Sequence, residues 1–166
     1  MTNITQPIAD QTYPRTHYEA VLDIKHAVLV HRLNERLYNR ADALMGAIGM
    51  AGGSGAVVGL LGSSPKVAAV AGAVLAVLAI VERTVGAARK AEVHRQGAEA
   101  FAAIEVRAAG LQLAELDAEL AATKARFPEG LEALGWVAYN RNVRSAGHIS
   151  NVVPMTRWQR LLDACV

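Results

Sequence analysis

Cysteine is almost absent from this sequence, which contains a single one, Cys165, among its 166 residues. One thiol excludes a disulfide within the chain and a metal cluster built from cysteines. Aromatic residues are also scarce, at 5% of the chain, although 52% of the residues are hydrophobic. Strands favour β-branched and aromatic side chains at alternating positions, so this composition predicts an all-α fold.

A strong charge of one sign is missing as well. The formal net charge is +2, from 17 Lys and Arg and 15 Asp and Glu. This near balance gives no reason to expect a nucleic-acid partner. Residues 1–10 are polar and contain no apolar core segment, so we expect no cleavable signal peptide. Residues 1–13 are predicted to form a flexible leader.

Charge is nearly absent between Ala43 and Val81, where Lys66 is the only charged residue. Lys66 follows the turn signal Gly-Ser-Ser-Pro, which divides the stretch into arms at about 43–62 and 67–88. The first arm has about 20 residues, roughly 30 Å as a helix and close to the thickness of a bilayer's apolar core. We therefore predict a transmembrane helical hairpin. The alternative is a helical hairpin buried inside a soluble oligomer.

The first arm is rich in glycine, with seven in its 20 residues. Glycines spaced by three and four residues create small faces that let helices in lipid approach closely. One face suits the second arm, and the other remains for another copy of the chain. The predicted helix-packing or pore-lining residues are Gly46, Gly49, Gly52, Gly53, Ser54, Gly55, Gly59, Gly62 and Gly72.

Basic residues flank the hairpin on both sides. This predicted basic collar consists of Arg32, Arg36, Arg40, Arg83, Arg89, Lys90 and Arg95. Because Lys and Arg favour the cytoplasmic side, the pattern predicts an inner (plasma) membrane protein with both termini in the cytoplasm. A role of the collar in binding lipid headgroups or a ligand is the less favoured interpretation.

The remaining chain is predicted to be helical and divides with the hairpin into three parts. Residues 14–127 form the hairpin domain, in which a helix starting at Pro14 runs into the first arm, with His31 on the polar side opposite its apolar stripe.

Residues 82–127 are expected to continue as one long helix with a short heptad-like seam, ended by Pro128. Gly86, Gly97 and Gly110 are only weak breakers in it. Residues 128–166 form short helices, one within 129–139 and the last one, 155–164, after Pro154. Trp136 and Trp158 are expected in the core or in subunit contacts rather than as interfacial anchors.

No set of residues predicts catalysis. His31 and Glu35 lie one helical turn apart, but the H-E-x-x-H arrangement of a hydrolytic zinc site is absent. Ser54 has no identifiable general base, and the glycine run around it lacks the Gly-Lys-Ser/Thr of a phosphate-binding loop. The sequence predicts no enzyme, no catalytic residue, no metal and no cofactor.

The order of these segments resembles that of a known family. The chain has a basic amphipathic helix, then a small-residue hairpin, then the segment AEVHRQGAEAFAAIEVRA, which contains His94 and Arg95. This arrangement resembles the SLATT family of two-transmembrane effectors. The resemblance spans residues 18–127, and the first arm contains more glycine than that family's pattern. It implies a pore-forming effector of a prokaryotic antiphage defence system, working beside a separate nucleotide-sensing or nucleotide-generating protein.

Three functions follow from the sequence. The first is a homo-oligomeric, pore-forming or membrane-perturbing effector, in contact with membrane lipid. The second is a non-conducting membrane scaffold, or a small phage-type membrane protein, that docks a cytoplasmic partner. The third is a soluble helical-bundle interaction protein.

Overall fold

The computed structural model describes residues 14–53 and 65–166, and the regular structure in those ranges is helical throughout. The all-α prediction is therefore confirmed for them. The α-helices are α1 (His17–Gly53), α2 (Pro65–Val85), α3 (Ala87–Arg107), α4 (Leu113–Arg126), α5 (Glu132–Ser145) and α6 (Arg157–Ala164). Short 3-10 turns at Ala108–Gly110 and Ile149–Asn151 follow α3 and α5. The predicted leader lies outside the described residues.

One long helix, α1, carries the chain into the first apolar arm. It begins at His17 because Thr16 and Glu19 cap its first turn reciprocally. The Thr16 backbone N–H donates to Glu19 Oε2 at 2.7 Å, and the Glu19 N–H donates to Thr16 Oγ1 at 3.2 Å. The helix has 37 residues, about 55 Å at 1.5 Å rise per residue. The predicted continuation of this helix into the first apolar arm is confirmed as far as Gly53.

The chain returns in two helices that meet at Gly86. This residue has φ 57° and ψ 49°, a left-handed conformation that glycine adopts without steric cost. Its N–H donates to the Glu82 carbonyl at 2.9 Å, and its own carbonyl accepts from the Lys90 N–H at 3.0 Å. Backbone hydrogen bonding therefore continues across a kink between α2 and α3.

The single long helix predicted for residues 82–127 is wrong. Besides the kink at Gly86, the chain turns at residues 108–112, where Leu111 is extended with φ −97°. Helix α4 then starts from Gln112 with a capping box to Glu115 and packs against α1 and α3. The predicted heptad seam is split, since Val106 on α3 is 85% exposed while Leu120 on α4 is buried.

Two apolar cores lie along α1. The lower core joins α1, α3 and α4 and consists of Ala20, Ile24, Ala27, Val28, Phe101, Ile104, Ala108, Leu116 and Leu120. The upper core joins α1, α5 and α6 and consists of Leu33, Leu134, Val137, Ala138 and Leu162. We call residues 17–42 of α1 together with residues 87–166 the base, because both cores lie there.

Buried asparagines hold the C-terminal part of the base together and attach it to α1. The Asn140 side chain pairs with Val153 in both directions: its Nδ2 donates to the carbonyl at 2.8 Å and its Oδ1 accepts from the N–H at 2.9 Å. Asn142 Nδ2 donates to the Leu22 carbonyl of α1 at 2.9 Å. These bonds satisfy polar groups that would otherwise cost free energy in the interior. Residues 128–166 are therefore packed on α1.

Residues 43–53 of α1 and helix α2 extend beyond the base, and we call them the hairpin end. Taken singly, no helix in the described part of the chain has the length and apolarity that crossing a membrane requires.

Candidate functional site: an exposed apolar hairpin end above a buried histidine pair

The hairpin end exposes most of the large apolar side chains that the structure describes there. Those with the highest exposed fractions are Met50 at 75%, Ile80 at 65%, Leu44 at 62%, Val77 at 58% and Val74 at 52%. No residue between Ala43 and Gly53 carries a charge. In a monomeric soluble protein, contiguous apolar surface of this kind is rare and marks contact with another protein or with a membrane.

Three glycines of the hairpin end have no close neighbour among the described residues. A Cβ atom added at Gly46, Gly49 or Gly72 would meet no described heavy atom within 4 Å, apart from the nearby backbone of its own helix. These positions on α1 and α2 are therefore open to a second helix. Gly52 and Gly53 end α1, whereas Ser54, Gly55, Gly59 and Gly62 lie outside the described residues.

Some side chains of the predicted basic collar are exposed to solvent, and others contact carboxylates or an aromatic ring. The side chains of Arg32, Arg36, Arg40 and Arg89 are exposed. Arg95 is held between two carboxylates of its own helix, Glu92 at 2.6 Å and Glu99. Lys90 Nζ lies 5.6 Å from the centre of the Tyr38 ring, within the range of a cation–π interaction. The side chain of Arg83 lies outside the described residues.

A wide cleft opens where the hairpin end meets the base. It has a volume of about 630 Å³ and is lined by Asp42, Ala79, Ile80, Glu82, Gly86, Ala88 and Arg89. Its walls combine apolar side chains of α2 with charged residues of α1, α2 and α3. The cleft marks the level at which the molecule changes from an apolar to a charged surface.

Just below this level, two histidines meet in the interface between α1 and α3. The Nδ1 atoms of His31 and His94 are 3.0 Å apart, and both residues are buried, with 5% and 4% of their surface exposed. One imidazole therefore donates its Nδ1–H to the Nδ1 lone pair of the other, which requires that lone pair to be unprotonated.

Aromatic rings enclose the pair. The His31 ring lies 5.2 Å from the Phe101 ring and 6.1 Å from the Phe127 ring, between centroids. The Tyr38 ring stacks on His94 at 5.7 Å with an interplanar angle of 9°. This apolar surrounding offers little solvation to an added charge.

Burial lowers the pKa of His31 to about 4, and the neighbouring His94 contributes to the shift. Burial also lowers the pKa of His94, with a further contribution from the positive charge of Lys90. Both imidazoles are therefore neutral at neutral pH, as their shared hydrogen bond requires. Protonation of both imidazoles at acidic pH would remove the hydrogen bond between His31 and His94.

Two glycines make room for the polar groups on α1. A Cβ at Gly97 would lie 2.5 Å from His31 Nδ1, so α3 needs glycine there for the imidazole to fit. A Cβ at Gly130 would lie 2.3 Å from Asn34 Nδ2. Asn34 Oδ1 accepts from the Leu131 N–H at 3.0 Å, which fixes the loop between α4 and α5 onto α1.

Two cavities of about 340 Å³ each border the histidine pair. His31 lines one together with His26, Phe101 and Phe127, and His94 lines the other. Burial lowers the pKa of His26, and its Nδ1 has no hydrogen-bond partner among the described residues. The histidines thus lie beside unfilled space that could accommodate a movement of their rings.

The sequence pattern predicts His31 on the polar side of α1, and this prediction is wrong, since His31 is among the most buried polar residues. Its partner is His94, 63 residues away, rather than Glu35. Gly97, a weak helix breaker by sequence, is a contact point between α1 and α3. A histidine spaced four residues from the buried apolar position Ala27 is the signal that would have indicated an inward orientation.

Trp136 and Trp158 are 44% and 60% exposed, so their predicted place in the core is wrong, and their role in subunit contacts stays a prediction. Within the described ranges, no group of three or more His, Cys, Asp or Glu side chains is positioned to hold a metal ion.

Comparison with known proteins identifies no relative: no family model, curated protein or solved structure matches this chain.

Proposed function

We propose that this protein is a membrane-inserting helical hairpin whose copies assemble and perturb the bilayer, while its helical base stays in water. The observation that carries the proposal is the contrast in burial between the two regions. Leu44, Met50 and Ile80 at the hairpin end are exposed, whereas Ile24, Leu33 and Leu134 in the base are fully buried. The transfer of apolar surface from water to lipid favours insertion by roughly 25 cal/mol per Å².

The two arms enter together in this proposal, at about residues 43–62 and 67–88. Helix α2 has 21 residues, about 31 Å at 1.5 Å rise per residue. Backbone polar groups exposed at the glycines of one arm are covered by the neighbouring arm or by another copy. The positive flanks orient the hairpin so that the base and both termini face the cytoplasm of the inner (plasma) membrane.

Assembly follows from the open glycines. A Cβ added at Gly46, Gly49 or Gly72 meets no heavy atom of the described residues within 4 Å, so a helix from another copy has room to approach each of them. One hairpin cannot enclose a path for water, but a ring of hairpins can. A lining of Gly, Ala and Ser side chains would carry no ring of charge and would discriminate poorly among ions.

The resemblance to SLATT effectors adds the biological setting to this proposal. The protein would be the membrane-damaging component of an antiphage defence system, triggered by a separate nucleotide-sensing or nucleotide-generating protein. Catalysis, a metal and a cofactor have no part in it.

The test is the release of a trapped dye from liposomes by the purified full-length chain, together with loss of membrane potential on expression. The informative variant is Gly49→Leu, because a Cβ at Gly49 meets no described heavy atom within 4 Å, and the longer leucine side chain blocks close approach of a second helix. We expect the oligomer and the leakage to be lost together. Gly110→Leu is the matched control, because a Cβ at this glycine in the base also meets no heavy atom within 4 Å.

Each alternative has its own outcome. If wild-type protein binds liposomes as an oligomer without leakage and leaves the membrane potential intact, the protein is a non-conducting scaffold. If it is recovered without detergent as a soluble particle that does not bind liposomes, the membrane proposal is wrong, and a helical-bundle interaction protein takes its place.

A further inference from the structure

Both tryptophans of the chain are surface residues of the C-terminal helices. Trp158 on α6 is 60% exposed, and Leu161, one turn further along the same helix, is 53% exposed. Tryptophan is highly buried on average in folded proteins. An exposed Trp next to an exposed Leu on a short helix therefore indicates a surface that meets something other than water.

Helix α6 cannot hide these side chains by rotating, because two contacts hold it against the base and its own first turn is capped. Leu162 is buried in the upper core. The Thr156 Oγ1 accepts from the Gln159 N–H at 3.2 Å in a capping box. Arg141 Nη2 on α5 lies 2.6 Å from Asp163 Oδ1. Trp158 and Leu161 are therefore presented outward by a fixed helix.

Exposed arginines accompany the two apolar side chains on α6 and lie on α1, the helix that shares the upper core with α6. Arg157 and Arg160 are exposed on α6, and Arg36 and Arg40 are exposed on α1. None of the four is in an ion pair within residues 14–53 and 65–166. Their charge is available to an external anion, and the planar guanidinium suits phosphate oxygens in particular.

The position of α6 links this surface to the hairpin end. Leu33 of α1 packs in the upper core with Leu162 of α6. At about 100° per residue, Arg36, Arg40 and Leu44 lie on the same face of α1 as Leu33, within about 60°. Leu44 stands about 16 Å above Leu33 along the helix. The upper core, on which α6 is seated, is therefore the core nearer to the hairpin end along α1.

We infer that Trp158, Leu161 and the arginines Arg157, Arg160, Arg36 and Arg40 form a docking surface for anionic phospholipid headgroups. The inference rests on the proposed function, because it takes the hairpin end as the part that enters the bilayer. Trp and Arg are the side chains that settle at headgroup level, with the indole ring at the edge of the acyl chains. The surface would seat the base on the membrane and fix its orientation relative to the hairpin.

The first experiment measures partitioning of the full-length chain onto vesicles of phosphatidylcholine with and without phosphatidylglycerol. The double variant Arg157→Gln with Arg160→Gln should bind the anionic vesicles about thirtyfold more weakly than wild type, and the neutral vesicles equally. The matched control is Lys25→Gln with Arg144→Gln, which removes the same charge from exposed residues low on the base and should bind as wild type does.

The second experiment tests whether Trp158 lies at the level of the lipid headgroups. In the Trp136→Phe variant, Trp158 is the sole tryptophan. Its emission should be quenched by phosphatidylglycerol vesicles that carry nitroxide-labelled headgroups, and the quenching should require Arg157 and Arg160.

The outcomes separate this inference from the proposed function. Dye leakage with no quenching of Trp158 and no effect of the arginine variant overturns the docking surface and leaves the hairpin proposal standing. Quenching of Trp158 without leakage supports the docking surface and counts against the perturbing hairpin. If the control pair weakens binding as much as the arginine pair does, the attraction is a general charge effect and the docking surface is wrong.

Discussion

The base and the hairpin end share the long helix α1, yet apolar side chains are buried in the base and exposed in the hairpin end. Along α1, Ile24 and Leu33 have at most 1% of their surface exposed, while Leu44 and Met50 have 62% and 75% exposed. The base owes this burial to α3, α4, α5 and α6, which cover α1 from several sides. Among the described residues, no other helix buries the apolar side chains of the hairpin end in this way. Folding of the base is therefore a property of the chain, whereas the state of the hairpin end depends on what surrounds it.

The largest expected difference between the two regions concerns leucine. Leu134→Ala should lower the free energy of unfolding by about 3 kcal/mol, because Leu134 is fully buried in the upper core and its removal leaves a cavity. Leu44→Ala should cost less than about 0.5 kcal/mol, since Leu44 is exposed. Urea unfolding in mild detergent, followed by emission of Trp136 and Trp158 in the base, measures both. Equal costs would contradict the division into two regions.

A second difference is sensitivity to acid. Unfolded histidines titrate near pH 6.5, and the pKa of His31 in the folded base is about 4. Between these values the unfolded chain binds more protons, so stability is complete above pH 6.5 and falls as the pH drops towards 4. The loss from His31 should approach about 3 kcal/mol. Denaturant titrations at several pH values measure it.

The His31→Leu with His94→Leu variant should lose much of this acid-dependent destabilisation, because neither buried site can then bind a proton. His148→Leu is the control, since it removes an exposed histidine outside the interface between α1 and α3. If the double variant follows the pH profile of wild type, the histidine pair is not the acid-sensitive contact.

A third comparison uses glycines in two helices. Gly97→Ala should destabilise the base by about 2 kcal/mol, because the new Cβ would fall 2.5 Å from His31 Nδ1. Gly49→Ala meets no atom within 4 Å and should be neutral, or stabilising by up to about 1 kcal/mol through helix propensity. The same unfolding assay applies. A loss at Gly49 equal to that at Gly97 would show that the hairpin end is packed after all.

Features that depend on neighbouring residues could be predicted from the sequence. The all-α class, the run of α1 into the apolar arm, the end of α4 before Pro128 and a last helix after Pro154 follow from composition, periodicity and proline. The bounds of α5 and α6 differ from the predicted ones because helix ends depend on caps, such as Thr156 at the start of α6.

The histidine pair could not be predicted, because it depends on a contact across 63 residues. Periodicity along α1 assigns His31 to a polar side, and nothing near it in sequence shows that α3 will cover that side. The same holds for Gly97, whose role appears when the imidazole is in place. The exposure of Trp158 likewise depends on how α6 is seated on the upper core. Tertiary packing therefore determines the histidine pair, the role of Gly97 and the exposure of Trp158.

The smallest of the expected effects concerns Gly86, which joins the two regions at the kink between α2 and α3. Among Gly86, Gly97 and Gly110, which all look like weak breakers in the sequence, Gly86 alone has a positive φ, of 57°. Gly86→Ala should cost about 1 kcal/mol through backbone strain, since an added Cβ meets no atom within 4 Å. Gly110→Ala is the control, with similar space and no left-handed backbone. If thermal unfolding shows the two variants to be equally stable, the left-handed conformation at the kink does not require glycine.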